Sequence, residues 1–122
     1  MSKLDELTEQ LTQRILEAET ELICQVTTDP SEVKPSVGKA SVWIEPPELA
    51  WEGWEPYEPD ITITLCVVAG TPNTQQAGLR VALDTLDALH RADINLNTAK
   101  PVGFDLSGAG TLAAYEATLN PM

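Results

Sequence analysis

The chain has 122 residues, with nineteen Asp and Glu against seven Lys and Arg, for a formal net charge of −12. Non-specific nucleic-acid binding runs on basic patches, so this balance argues against a surface that grips phosphates. It suits a surface that repels DNA, a face that docks a basic partner, or plain solubility. The length fits one domain, 1–122, whose core needs neither metal nor disulfide staple, and the 43% apolar content is that of a globular protein. No apolar run approaches the ~20 residues of a membrane span. Met1–Glu6 turns acidic without an apolar stretch, so no secretory signal is expected, and the chain reads as a soluble protein made in a cytoplasm.

In chain order, Leu4, Leu7, Leu11 and Ile15 recur at helical steps and predict an amphipathic helix over about 3–19, with Leu16 and Ala18 flanking the stripe. Ser2 and Asp5 resemble a capping box with a shortened acid. Leu22–Val26 reads as a short strand or a buried connection, and prolines break the stretch from Thr27 to Val37. A strand is predicted over Lys39–Glu45, with Ala40, Val42 and Ile44 on one face and Ser41, Trp43 and Glu45 on the other; Pro46–Pro47 ends or bends it. Residues 45–60 hold six acids and no base, interleaved with Trp51, Trp54, Tyr57 and four prolines, which suits an edge strand or a long exposed connection.

Ile61–Ala69 alternates cleanly and predicts one strand, buried on both faces towards its end, where Cys66 and Val68 replace Thr62 and Thr64. Gly70–Asn73 reads as a turn, and Asn73 or Thr74 can cap a second helix running to about Ala92. Leu79, Ala82, Leu83, Leu86, Leu89 and His90 form its predicted stripe, and Asp87 and Arg91 are spaced for an ion pair. After a polar stretch, Asp93–Lys100, two strands close the chain over Pro101–Leu106 and Leu112–Leu119, joined by a glycine turn around 107–110. This order of elements predicts an α+β fold: a mainly antiparallel sheet with two principal helices packed on one face.

Catalytic chemistry finds little support. The two cysteines lie in apolar stretches and are expected as buried thiols, without a disulfide. One histidine, no C-x-x-C and no H-x-x-x-H leave no transition-metal pattern. His90 is placed near a helix C-terminus, where a charged ring complements the dipole and can cap carbonyls. No nucleophile elbow or phosphate loop is present. We therefore expect no catalytic residue, no cofactor and no metal. Exposed aromatics among acids instead suggest an interface, with Trp43, Trp51, Glu52, Trp54, Glu55, Tyr57 and Glu58 as candidate contacts.

Taken together, the strand Val42-Trp43-Ile44-Glu45-Pro46-Pro47-Glu48-Leu49, the strand Ile61–Gly70, the helix Ala82–Leu89 and the terminal strand Leu112–Leu119 with its Ala114-Tyr115 pair resemble the tail terminator and minor tail proteins of long-tailed bacteriophages. Relatives often carry proline before the Ala-Tyr pair, where this chain has Ala113. The resemblance implies a virion protein assembled in the host cytoplasm. It would form a homo-hexameric ring that caps the head-proximal end of the tail tube, stops polymerisation and contacts the major tail tube protein and the head–tail connector. DNA would pass through its lumen without specific binding. Neighbouring alternatives are a head–tail connector (a head-completion or stopper protein) and a tail tube subunit, and a more distant one is an acidic DNA-mimic inhibitor.

Overall fold

In chain order the elements are α1 (Lys3–Ala18), β1 (Ile23–Thr27), a 3-10 turn (Pro30–Glu32), β2 (Ser36–Ile44), β3 (Glu48–Ala50), β4 (Asp60–Thr62), β5 (Thr64–Gly70), α2 (Gln75–Arg91), β6 (Leu96–Leu106) and β7 (Gly110–Leu119). They come from a computed structural model that describes residues 3–18, 22–33, 36–51, 60–70, 75–106 and 110–119. The main sheet has the order β1-β2-β5-β7-β6, while β3 and β4 form a separate two-stranded ribbon. Only the β1–β2 pair is parallel among these described pairings; the others are antiparallel. The predicted α+β class is the one observed.

Strand alternation decides which residues meet the helices. Ala40, Val42 and Ile44 of β2, Leu65, Val67 and Ala69 of β5, and Ala117 and Leu119 of β7 share one buried cluster with Leu11 and Ile15 of α1 and Ala82, Leu86 and Leu89 of α2. Both helices therefore cover the same face, α2 over β2, β5 and β7, and α1 against β1 and α2. The opposite face carries a second, smaller cluster of Cys66, Val68, Phe104, Leu112 and Ala114, covered by Val33 from the β1–β2 crossover. Central β5 is thus buried on both sides, as its change from Thr to Cys and Val predicts. The crossover turns where Asp29 accepts hydrogen bonds from the Ser31 hydroxyl (2.7 Å) and amide (2.9 Å). Those two bonds, the hydroxyl's first, hold the Asp29 carboxyl below its ordinary value.

The stripe of α2 is rotated from the predicted one. Gly78, Ala82, Thr85, Leu86, Ala88 and Leu89 are buried, whereas Leu83 is 44% exposed and His90 is exposed. Close approach explains the rotation: a methyl group on Gly78 would lie 2.4 Å from the carbonyl oxygen of Ala69 on β5. Small residues, not the largest apolar ones, face the sheet where the backbones nearly touch. Thr85 enters the core by donating its hydroxyl to the Val81 carbonyl (2.8 Å). Asp87 and Arg91 form the expected pair at 2.6 Å.

His90 does not cap α2. The Asp93 amide donates to the His90 carbonyl and the Ile94 amide to the Leu89 carbonyl, each at 3.1 Å, with Asp93 at φ 65°. This is a Schellman ending, closed by contact between buried Leu89 and Ile94. Backbone amides take the carbonyls, leaving the imidazole in solvent.

Three other expectations change. Cys24 is exposed, because it sits on edge strand β1 with its side chain opposite buried Ile23; Cys66 is buried, and both thiols are free. The last hairpin starts earlier than predicted, at Leu96 within the polar stretch. As the sheet's edge, β6 leaves Asn97 to Lys100 exposed, so their pairing leaves no apolar alternation to read. The predicted strand 61–69 is divided at Ile63 into β4 and β5. Ile44 pairs with Leu65 and Glu48 with Thr62, so Pro46 and Pro47 stand opposite Ile63 alone. Lacking N–H donors, the prolines interrupt the ladder. On β2 itself, a register shift between Ser36 and Ala40 contains Gly38, whose φ of 81° places it in the left-handed region. The Ser2 cap, the Thr71–Asn73 turn, the Asn73 or Thr74 cap and residues 107–109 of the last turn lie outside the described residues.

Candidate interaction site

The β3–β4 ribbon continues the β2–β5 hairpin beyond the last rungs of the main sheet. Its register, Glu48↔Thr62, Leu49↔Ile61 and Ala50↔Asp60, keeps the two strands in step. Ile61 is buried and belongs to the helix-side cluster, so the ribbon's root is anchored in the core. The other strand is open: Glu48, Leu49 and Ala50 are all exposed, and Trp51 beyond them is 66% exposed. A two-stranded ribbon is marginal by itself in water. This one exposes a leucine beside an acid, with the tryptophan directly after it.

Of the candidate contacts, Trp51 directly follows β3 of this ribbon, and Glu52, Trp54, Glu55, Tyr57 and Glu58 lie outside the described residues. Trp43 occupies a different place. It is half-buried on the helix-free face, edge-on to Phe104 with centroids 5.8 Å apart and planes at 71°. Its indole N–H donates to the Thr28 carbonyl at 3.3 Å. Trp43 therefore braces the crossover against the β6–β7 hairpin.

One constellation escaped the sequence reasoning. Register places Trp43, Cys66, Glu116 and Lys100 on successive strands in one cross-sheet row. Glu45 lies two residues from Trp43 on the same face. Lys100 Nζ stands 3.6 Å from Glu116 Oε1, and among the described residues no N–H or hydroxyl donor reaches the buried Oε2 of Glu45. Burial first, then the hydrogen bond to Glu116 and its negative charge, push the Glu45 carboxyl up to about 7 against the pull of Lys100. Burial, and next the charges of Glu45 and Glu116, push the Cys66 thiol up to about 12, so it stays protonated and unreactive. No local signal joins Glu45 to Glu116, because it is the pairing of their separate strands with β5 that places both on this face.

Among the described residues, no three His, Cys, Asp or Glu side chains are grouped to hold a metal ion, and no helix is long and apolar enough to cross a membrane. A surface depression along α1 is lined by Glu6, Glu9, Gln10, Gln13 and Arg14. It is the polar side of an amphipathic helix, with Arg14 reaching the Asp93 carbonyl at 2.8 Å. Compared with known proteins, the sequence matches no protein-family model and no curated protein.

Proposed function

We propose that this chain is a non-catalytic structural subunit of a phage tail, a terminator that closes into a ring at the head-proximal end of the tail tube. The observation that carries the proposal is the β3–β4 ribbon, which among the described residues has only its two strands and exposes Leu49 together with Trp51 just past β3. A ring subunit needs two different contact faces, and a partner seated on this ribbon would bury surface that a lone chain leaves in water. The acidic balance of −12 adds support, since a wall that repels phosphate suits a passage for DNA. The phage-tail resemblance supplies the identity of the assembly, a hexamer that contacts the tube protein on one side and the connector on the other.

Native mass spectrometry and electron microscopy of the purified protein test this directly. The expected result is a closed hexameric ring that does not lengthen. Replacing Trp51 and Trp54 together by Ala should weaken ring formation or tail joining while leaving the circular dichroism spectrum unchanged. Tubes of indefinite length would make the chain a tube subunit instead. A monomer at tens of micromolar, or assembly untouched by the double substitution, would overturn the proposed contact.

A further inference from the structure

The helix-free face brings two carboxyl groups together at the root of the ribbon. Glu45, just past β2, and Glu116 of β7 flank β5 on this face, the Glu45 amide bonded to the Thr64 carbonyl and Glu116 paired with Cys66 two residues on, and their carboxyls lie within hydrogen-bonding reach. Two carboxylates offer only acceptors, so a hydrogen bond between them exists only while one carries a proton. Among the described residues no other group donates to the buried Oε2 of Glu45. We propose that Glu45 and Glu116 share one proton, forming a protonation-dependent clasp that holds the root of the β3–β4 ribbon.

The backbone explains why this clasp bears on the ribbon. Glu45 immediately precedes Pro46–Pro47, and its amide donates to the Thr64 carbonyl at 3.0 Å. That bond is the last rung on the β2 side before two residues that have no N–H to give. On the other strand, Leu119 ties the Ile63 carbonyl at 2.8 Å. Both strands of the ribbon thus leave the main sheet beside Glu45.

With the proton in place, the carboxyls bond and the root is closed. Once it is lost, two negative charges meet with one oxygen sealed from water, and Glu45 must swing outward. Lys100 on β6 moderates the repulsion through Glu116. Cys66 on β5 stays neutral in this range. On the crossover, Asp29 is engaged by Ser31 and Glu32 by the Thr27 hydroxyl. Glu45, raised towards neutrality, places the transition close to pH 7.

Two measurements on the full chain between pH 5 and 9 test the clasp: carboxyl 13C titration of Glu45 and Glu116, and amide hydrogen exchange of residues 48–50 and 60–63, corrected for intrinsic rates. One of the two carboxyls should titrate near neutrality. Ribbon protection should fall through the same midpoint by about tenfold, equivalent to roughly 1.4 kcal/mol of opening free energy. Glu45→Gln and Glu116→Gln each place a permanent donor in the pair, so both should hold the low-pH protection and remove the step. Ordinary midpoints for both carboxyls, a step that persists in both variants, or a neutral midpoint with constant ribbon protection would each overturn the proposal. None of these readouts depends on ring formation, so their failure would leave the tail assignment standing, and the reverse holds too.

Discussion

Gly78→Ala sets two rules of stability against each other, and the structure says which wins. On propensity alone, alanine inside a helix is better than glycine by about 1 kcal/mol. Here, however, the added methyl would sit 2.4 Å from the Ala69 carbonyl oxygen, 2.9 Å from its carbonyl carbon and 3.1 Å from the Gly70 Cα. All three neighbours are backbone of central strand β5, so no side chain can turn aside. The helix must retreat instead, opening the seam that Ala82, Leu86 and Leu89 make with Leu65, Val67 and Ala69. A gap of 0.5–1 Å forfeits roughly a quarter to a half of each contact's attraction. Overpacking of this kind costs about 1–3 kcal/mol, and with a clash against backbone we place it near the upper limit. The net expectation is therefore a loss of about 2 kcal/mol after the propensity gain. With urea slopes of roughly 1–3 kcal/mol/M for small domains, the midpoint should fall by about 1 M. Ala77→Gly, at an exposed position one residue earlier, isolates the propensity effect. An unchanged or raised midpoint for Gly78→Ala would show that α2 does not lie on β5 at backbone distance.

Two further substitutions probe the rotated stripe and the carboxyl pair. Leu89→Ala, at a fully buried position, should cost about 3 kcal/mol in urea unfolding, while Leu83→Ala, at 44% exposure, should cost under about 1 kcal/mol; equal costs would contradict the rotation. For Glu45 the folded carboxyl binds its proton more tightly than the unfolded one, so its stabilising contribution is complete below pH 4.5 and is lost as pH rises through about 7. Glu45→Gln should accordingly match the parent in acid and exceed it above pH 7. The full rise corresponds to roughly 3 kcal/mol, which solvent screening of this half-buried group reduces to about 1–2 kcal/mol. A gain of the same size at pH 4 and pH 8 would refute the linkage.

Periodicity along the chain was enough to identify the two helices, most of the strands and the α+β class. Those features follow from repeats of 3.6 and 2 residues that each segment carries by itself. The opposed faces of β2 and the double burial of β5 were legible for the same reason. Tertiary structure decided what depends on neighbours. Gly78 faces the sheet because β5 is a backbone's width away, which no count of leucines reveals. Leu96–Lys100 pairs as a strand at the sheet's edge, where solvent imposes no apolar alternation. Asp93 and Ile94, not His90, close α2, since backbone amides arrive in the right geometry once the chain turns left-handed. The site divides in the same way. The exposed Trp51 was legible as an aromatic in an acidic, proline-rich stretch, and Trp43 looked alike in sequence, yet it packs on Phe104 because β6 and β7 fold beside it. Glu45 and Glu116 lie far apart along the chain. Only the pairing of their separate strands with β5 brings them into one proton-sharing pair, because hydrogen-bonded pairing across a sheet is a long-range choice that local sequence does not encode.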